Sequence, residues 1–262
     1  MSITSERLQK IIGHSGNSFH CKVIKFLREN GWEVLVSPYY NDVFSNKPRE
    51  IDLIAEKAVN WKERFGGSFG TIYIRLYIEC KYVPNPTVFW FDAKDKYRAN
   101  KLVIQNTPLR DNNIYTQKHH YLGAINHVAK IWADERNKSS ENEIFYKALS
   151  QSLNATIYYR TINNQICSPP KRSHGAITFL HYPVIACSNF NLLYRVDIDS
   201  DESPSNVKDN FLLEVNYAYA DFNGVQNCEY FLMDVVSFNL FQQYLEQLEK
   251  DVNLVKSMFE CV

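Results

Sequence analysis

The chain of 262 residues is 45% hydrophobic and 14% aromatic, ordinary globular composition that excludes disorder as a description of the whole. Lys and Arg number 29, as do Asp and Glu, and the resulting net charge of zero excludes a uniformly basic polyanion binder. The balance hides a gradient: residues 1–140 hold 21 basic and 14 acidic side chains and residues 141–262 hold 8 and 15, so the N-terminal part is the candidate for phosphate contact. Residues 16–30 place Phe19, Val23, Phe26 and Leu27 at helical spacing before Gly31, which predicts a helix with a glycine stop. Residues 32–40 alternate and are rich in β-formers, predicting a strand; a polar turn over 41–48 and a second strand over 49–57 (REIDLIAEK) follow. After an insertion containing WKERFGGSFG, residues 71–82 (TIYIRLYIECKY) are nearly all β-branched or aromatic and predict a central strand.

Three prolines and a basic cluster predict that 83–113 is a long, partly ordered excursion rather than a regular element. Leu122, Ile125, Val128 and Trp132 give 115–136 helical spacing, and 141–153 reads as a further helix. Strands are predicted at 177–187, 191–196, 212–219 and 229–236, with a charged loop at 197–206. A closing helix carries Phe241, Leu245, Leu248, Val252, Val255 and Phe259 along one line.

Six cysteines (Cys21, Cys80, Cys167, Cys187, Cys228, Cys261) form no Cys-x-x-Cys pair, residues 1–10 lack an apolar leader core, and no run reaches the roughly 18 apolar residues of a membrane span. The expectation is a reduced, cytoplasmic chain with buried cysteines and no membrane partner. Gly66–Gly70 fits Gly-x-Ser-x-Gly, but a strand follows where a nucleophile elbow needs a helix, so it is read as a glycine turn. Asp197, Asp199 and Asp201 open like a calcium loop, yet its sixth position is Glu202 and its twelfth Lys208, which excludes calcium there. His119, His120 and His127 are read as solvated helix histidines.

Chemistry concentrates at Asp52 on one predicted strand and Glu79-Cys80-Lys81 on the next. Alternation sends Glu79 and Lys81 to one face of their strand and Cys80 to the other. Pairing of the two strands near these ends would collect two carboxylates and an ammonium, and carboxylate oxygens select a hard divalent ion such as Mg²⁺. Such an ion polarises a phosphoryl oxygen and acidifies bound water, while Lys81 orients the nucleophile or offsets charge growing on phosphorus. Glu50 is the nearest alternative acid. Lys94, Lys96, Arg98 and Lys101, interleaved with aromatics including Phe89, Trp90, Phe91 and Tyr97, are candidates to grip and stack on nucleic acid.

Asp52, 27 residues, then Glu79-x-Lys81, in the order helix, strand, strand, strand, resembles the PD-(D/E)xK nuclease superfamily, the restriction-endonuclease-like fold. REIDLIAEK followed by YIECKY looks particularly like its Holliday-junction-resolvase and Mrr-like branches. The resemblance covers roughly residues 16–82 and extends to the helix predicted from Tyr115. It implies an α/β protein whose restriction-endonuclease-like core is a mixed central sheet flanked by helices. The whole of 1–262 would be one nuclease-like domain, with an insertion at 83–113 and a β-rich C-terminal elaboration over 155–262. It implies Mg²⁺-dependent cleavage of DNA phosphodiesters, Mn²⁺ substituting, in prokaryotic restriction or anti-phage defence. Asp52 and Glu79 would be metal ligands, the Cys80 backbone carbonyl a further ligand, and Lys81 catalytic. Many relatives carry a Glu on the first helix at about the place of His20, which leaves His20 open as a ligand or water shuttle. Gln117, near the start of the helix predicted from 115, falls where related nucleases place a polar residue reaching the site. DNA is the expected partner, with a homodimer or a partner defence subunit left open. The alternatives are a catalytically inactive nucleic-acid-binding or scaffold subunit, and an RNA-directed nuclease.

Overall fold

The computed structural model describes residues 8, 9, 12, 16–42, 47–111, 114–123, 125–134, 144–162, 166–167, 175–221 and 223–260. Cys261 and the predicted helix start at 141–143 lie outside them. The chain runs α1 (Asn17–Glu29), β1 (Glu33–Val36), β2 (Tyr39–Asp42), β3 (Lys47–Glu50), β4 (Leu53–Lys62), β5 (Phe69–Lys81), β6 (Thr87–Ala93) and α2 (Lys96–Asn106). It continues through β7 (His127–Asp134), α3 (Ile144–Ile162), β8 (Ala176–Cys187), β9 (Leu193–Asp197), β10 (Ser205–Asn206), β11 (Phe211–Ala220), β12 (Gln226–Ser237) and α4 (Phe241–Glu260).

Ten strands form one mixed sheet in the order β1-β4-β5-β8-β12-β11-β7-β6-β9-β10, and β2 pairs with β3 in a separate ribbon. β5 is buried from Gly70 to Cys80, which is why its sequence is almost unbrokenly apolar rather than alternating. Its two faces meet different helices. Ile72, Ile74, Leu76 and Ile78 pack with Phe19, Val23 and Leu27 of α1, Leu102 and Val103 of α2, and Leu245, Leu248 and Val252 of α4. Tyr77, on the opposite face, packs with Ala155 and Tyr159 of α3, while Phe145, Leu149 and Leu153 cover the β11–β12 side. Helices thus cover both faces of the sheet, and the parallel pairing of β8 with β5 closes a long connection that runs through β6, α2, β7 and α3.

Several predicted elements take another form. The strand expected over 32–40 ends at Val36, because Ser37 adopts φ 52° and turns the chain out of the main sheet into the β2–β3 ribbon. The strand expected over 49–57 is likewise divided: Glu50 ends β3, and Leu53 begins β4, which absorbs Trp61 and Lys62. Most of the described part of the 83–113 stretch is regular rather than an excursion, and 112–113 lie outside the described residues. Its alternating aromatics form β6, and Asp95 caps α2 by accepting from the Arg98 backbone N–H at 3.0 Å. The helix expected over 115–136 is a 3₁₀ turn at Thr116–Lys118 followed by β7. Trp132 packs beside Phe89 of the paired strand β6, so sheet packing overrode a spacing that suits either element. The loop expected over 197–206 ends in the short strand β10. The expected glycine turn occupies Gly66–Ser68, with Gly67 at φ 76°, and Phe69 and Gly70 already begin β5.

Beneath α3 lies a fully buried ion pair, Arg75 Nε to Glu56 Oε2 at 2.7 Å, with the guanidinium 4.1 Å from the Phe179 ring centre. Removing one partner strands a buried charge, whereas removing both does not. Glu56→Leu is expected to cost about 3–5 kcal/mol, read as a lower urea midpoint at unchanged slope, and Glu56→Leu with Arg75→Met to recover most of it.

Candidate active site

The antiparallel register of β4 with β5 sets Leu53 against Ile78, so the next step along the chain brings Asp52 to Glu79. Asp52 is in the two-residue link between β3 and β4 rather than in a strand. Its backbone is pinned there: the Ser37 N–H donates to the Asp52 carbonyl at 2.9 Å and the Ile51 N–H to the Pro38 carbonyl at 3.1 Å. The Ser37 turn therefore does more than end a strand, because it holds the loop that presents the carboxylate.

Four side chains converge. The Asp52 backbone N–H donates to Glu79 Oε1 at 3.3 Å, and the Cys80 backbone N–H donates to Asp52 Oδ2 at 2.8 Å. Lys81 Nζ donates to Glu79 Oε2 at 2.6 Å and lies 3.7 Å from Asp52 Oδ2. His20, projecting from the face of α1 that Phe19 and Val23 anchor, places Nε2 3.5 Å from Asp52 Oδ2. The predicted alternation holds: Cys80 packs with the α1-side core, and its Sγ lies within 4.8 Å of ligand atoms of His20 and Asp52.

Electrostatics follow from burial. The Glu79 side chain is wholly buried, and desolvation pushes its carboxyl up to about 7, with Lys81 opposing and Asp52 adding to the rise. Burial works against the Lys81 ammonium, but Glu79 and Asp52 outweigh it and hold its pKa above the usual value. Burial, then Asp52 and Glu79, raise the Cys80 thiol well above its ordinary pKa, so it stays neutral. The donors suited to a hard ion are thus the two carboxylates. Among the described residues the Lys81 ammonium is the one that lies between them, and with Glu79 ionised the pair retains negative charge and oxygen donors of the kind a hard divalent cation takes.

Other candidates lie elsewhere. Gln117 sits in the 3₁₀ turn, exposed, its amide donating to Asn100 of α2 at 3.5 Å, and none of its bonds reaches Asp52, Glu79 or Lys81. The Glu50 carboxylate bonds the Tyr39 hydroxyl. The basic cluster is not a solvated group beside the site. Lys94 is buried and donates to the Tyr121 carbonyl at 2.6 Å, and the Arg98 guanidinium lies 4.7 Å from the Tyr230 ring centre, leaving Lys96 and Lys101 exposed. Nor does the cluster leave the sheet next to the Glu79 strand, since β8, β12, β11 and β7 separate β5 from β6. His119 and His120 are buried rather than solvated, and only His127 is exposed. Their buried partners, Asp234 of β12 and Asp251 of α4, were not singled out in the sequence, and no local pattern joins residues so far apart.

A carboxyl whose folded pKa is raised binds more protons in the folded state, so it lowers stability as pH climbs from its unfolded value toward about 7. In chelator, Glu79→Gln is therefore expected to match the wild type below pH 4.5 and to melt roughly 3–8 °C higher above pH 7. A difference independent of pH, read by calorimetry, would contradict the assignment of the raised carboxyl to Glu79.

Comparison with protein-family models, with curated proteins and with solved structures finds no match, so the functional reading rests on the geometry of these residues.

Proposed function

We propose that the chain is a metal-dependent nuclease of the PD-(D/E)xK type that hydrolyses phosphodiester bonds in DNA. One observation carries the reading: Asp52, in the link before β4, and Glu79, 27 residues later near the end of β5, meet with the Lys81 ammonium 3.7 Å and 2.6 Å from their respective oxygens. The topology supports it. The sheet order β1-β4-β5-β8, with β8 parallel to β5 and reached by way of β6, α2, β7 and α3, extends the helix, strand, strand, strand order into a mixed sheet with helices on both faces. On this reading the restriction-endonuclease-like core comprises α1, β1, β4, β5, α3 and β8.

Asp52 and Glu79 would hold the ion, which when bound polarises a phosphoryl oxygen and lowers the pKa of coordinated water. The chain's own groups do the rest. Metal binding requires Glu79 ionised, so affinity rises with pH through the region of its pKa near 7. Lys81, tied to Glu79, is placed to orient the attacking oxygen or to offset negative charge growing on phosphorus. His20 contacts Asp52 directly and steadies its carboxylate from the α1 side. The same residue favours a second reading, a non-catalytic nucleic-acid-binding subunit, because an imidazole stands beside Asp52 where an acid would strengthen metal binding.

Cleavage of plasmid, single-stranded DNA and RNA with Mg²⁺ or Mn²⁺, against a chelator control, separates the two readings and the choice of nucleic acid. Asp52→Ala, Glu79→Ala and Lys81→Ala are each expected to reduce metal-dependent cleavage by about 10³-fold or more, equivalent to ~4 kcal/mol on the barrier, without loss of fold. Full activity in Glu79→Ala would overturn the nuclease reading. For His20, a steadying role predicts that His20→Gln stays within about tenfold and that His20→Glu remains active. A larger loss in His20→Gln, recovered by raised Mn²⁺, would make His20 a ligand instead.

A further inference from the structure

A second group of ligand-bearing side chains is assembled from parts of the chain that the Asp52 site does not use. The stretch after the 3₁₀ turn supplies His119, His120 and Tyr121, β8 supplies Tyr182, β12 supplies Asp234, and α4 supplies Tyr244 and Asp251. All are buried, Asp251 completely. Asp251 Oδ1 accepts from the His120 backbone N–H at 3.0 Å, while Oδ2 contacts His120 Nδ1 and lies 3.5 Å from His119 Nε2. His120 Nε2 is 3.2 Å from Asp234 Oδ1, and Asp234 Oδ2 accepts from the hydroxyls of Tyr121 at 3.2 Å and Tyr244 at 3.0 Å. One ligand atom each from His119, His120 and Asp251 falls within 4.8 Å of the others. A separate observation points into the same place. The Tyr182 ring lies 6.3 Å from that of His119 and 5.6 Å from that of His120, and its buried hydroxyl interacts with Asp251 without a hydrogen bond of full geometry.

We infer that His119, His120 and Asp251 form a binding site for a transition-metal ion of the zinc class, with the Tyr182 hydroxyl or a water as fourth donor. Two imidazoles and one carboxylate suit a borderline ion such as Zn²⁺, unlike the carboxylates of Asp52 and Glu79, which suit Mg²⁺. Donors bound to one tetrahedral ion at about 2.1 Å lie roughly 3.4 Å apart, close to the 3.5 Å between His119 Nε2 and Asp251 Oδ2. His120, bound through Nδ1, keeps its Nε2–H for Asp234, the carboxylate partner that orients a ligating imidazole. Charge is also better matched. Asp234 and Asp251 are two buried carboxylates, and Lys94, the buried ammonium at this end, is committed to the Tyr121 carbonyl. A divalent ion in place of the proton between His120 and Asp251 neutralises both carboxylates. The cost is the direct His120–Asp251 contact, which opens to admit the ion, and one long hydrogen bond: His119 Nδ1 accepts from the Tyr121 N–H at 3.2 Å, and binding through Nε2 moves the ring proton to Nδ1. The ion fastens the 119–121 stretch to α4, more than a hundred residues along the chain, so its role is structural and stands apart from the nuclease reading.

The full chain, purified without chelator and dialysed, is expected to hold about one zinc, measured by inductively coupled plasma mass spectrometry. Stripped protein given free Zn²⁺ at ~100 times its Kd should melt about 5–10 °C higher. Co²⁺ added instead should give the visible bands of a tetrahedral site. His119→Gln and Asp251→Asn should each weaken Zn²⁺ affinity at least tenfold, whereas Asp52→Ala should leave it unchanged. The inference is overturned by wild-type protein that neither carries nor takes up zinc, by affinity that survives both ligand substitutions, or by affinity lost with Asp52. Should the ligand variants fail to fold, zinc-edge X-ray absorption of the wild type decides. Two imidazoles in the coordination shell support the site, and a shell with sulfur or with oxygen alone overturns it.

Discussion

Burying the Glu79 carboxyl at a sheet end beside Asp52 costs free energy, chiefly through desolvation, and the Lys81 ammonium offsets part of that cost. Glu79 is sealed beneath the sheet surface, Asp52 is held beside it by backbone N–H groups, and Lys81 bridges them. The pair persists because the β4–β5 register, ten residue pairs long, fixes the two strand ends regardless of the local repulsion. Burial first, with Lys81 opposing it and Asp52 adding to it, leaves a Glu79 carboxyl that ionises near neutrality rather than in the acid range. Perturbed groups of this kind cluster at functional sites, which is the physical ground for placing chemistry here.

The remainder of the fold serves to hold that register. α1 and α4 cover one face of β4 and β5, with Phe26 edge-on to Phe238 and Phe241 and Trp61 stacked on Phe259. α3 covers the other, its Ser152 hydroxyl donating to the Tyr77 carbonyl at 2.8 Å. The half of the sheet beyond β12 contributes no residue to the Asp52 group but widens the platform, and Arg160 of α3 clasps Glu229 of β12 through two bonds of 2.7 Å. The His120–Asp251–Asp234 group does the corresponding work on the α4 side, joining a loop, a strand and a helix through buried polar bonds that each element alone would leave unsatisfied.

The sequence by itself determined the elements whose burial is uniform or strictly periodic. α1, β5, β8 and α4 could be read from apolar spacing, because a buried strand must be continuously apolar and a surface helix must repeat near every fourth residue. Strand alternation also placed Glu79 and Lys81 together and Cys80 opposite them. Tertiary structure decided what depends on contacts distant in sequence. Residues 115–136 carry spacing that suits a helix or a strand, and pairing of β7 with β6 chose the strand. The departure of the chain at Ser37 depends on one left-handed backbone angle that serine adopts only when bonds such as Ser37 N–H to the Asp52 carbonyl compensate for it. Lys94 and His120 look like surface residues in a polar stretch, yet both are buried, because their partners, the Tyr121 carbonyl and Asp251, arrive from elsewhere in the fold. Periodicity reports which side of an element faces the interior, and it carries no record of which charged group waits there.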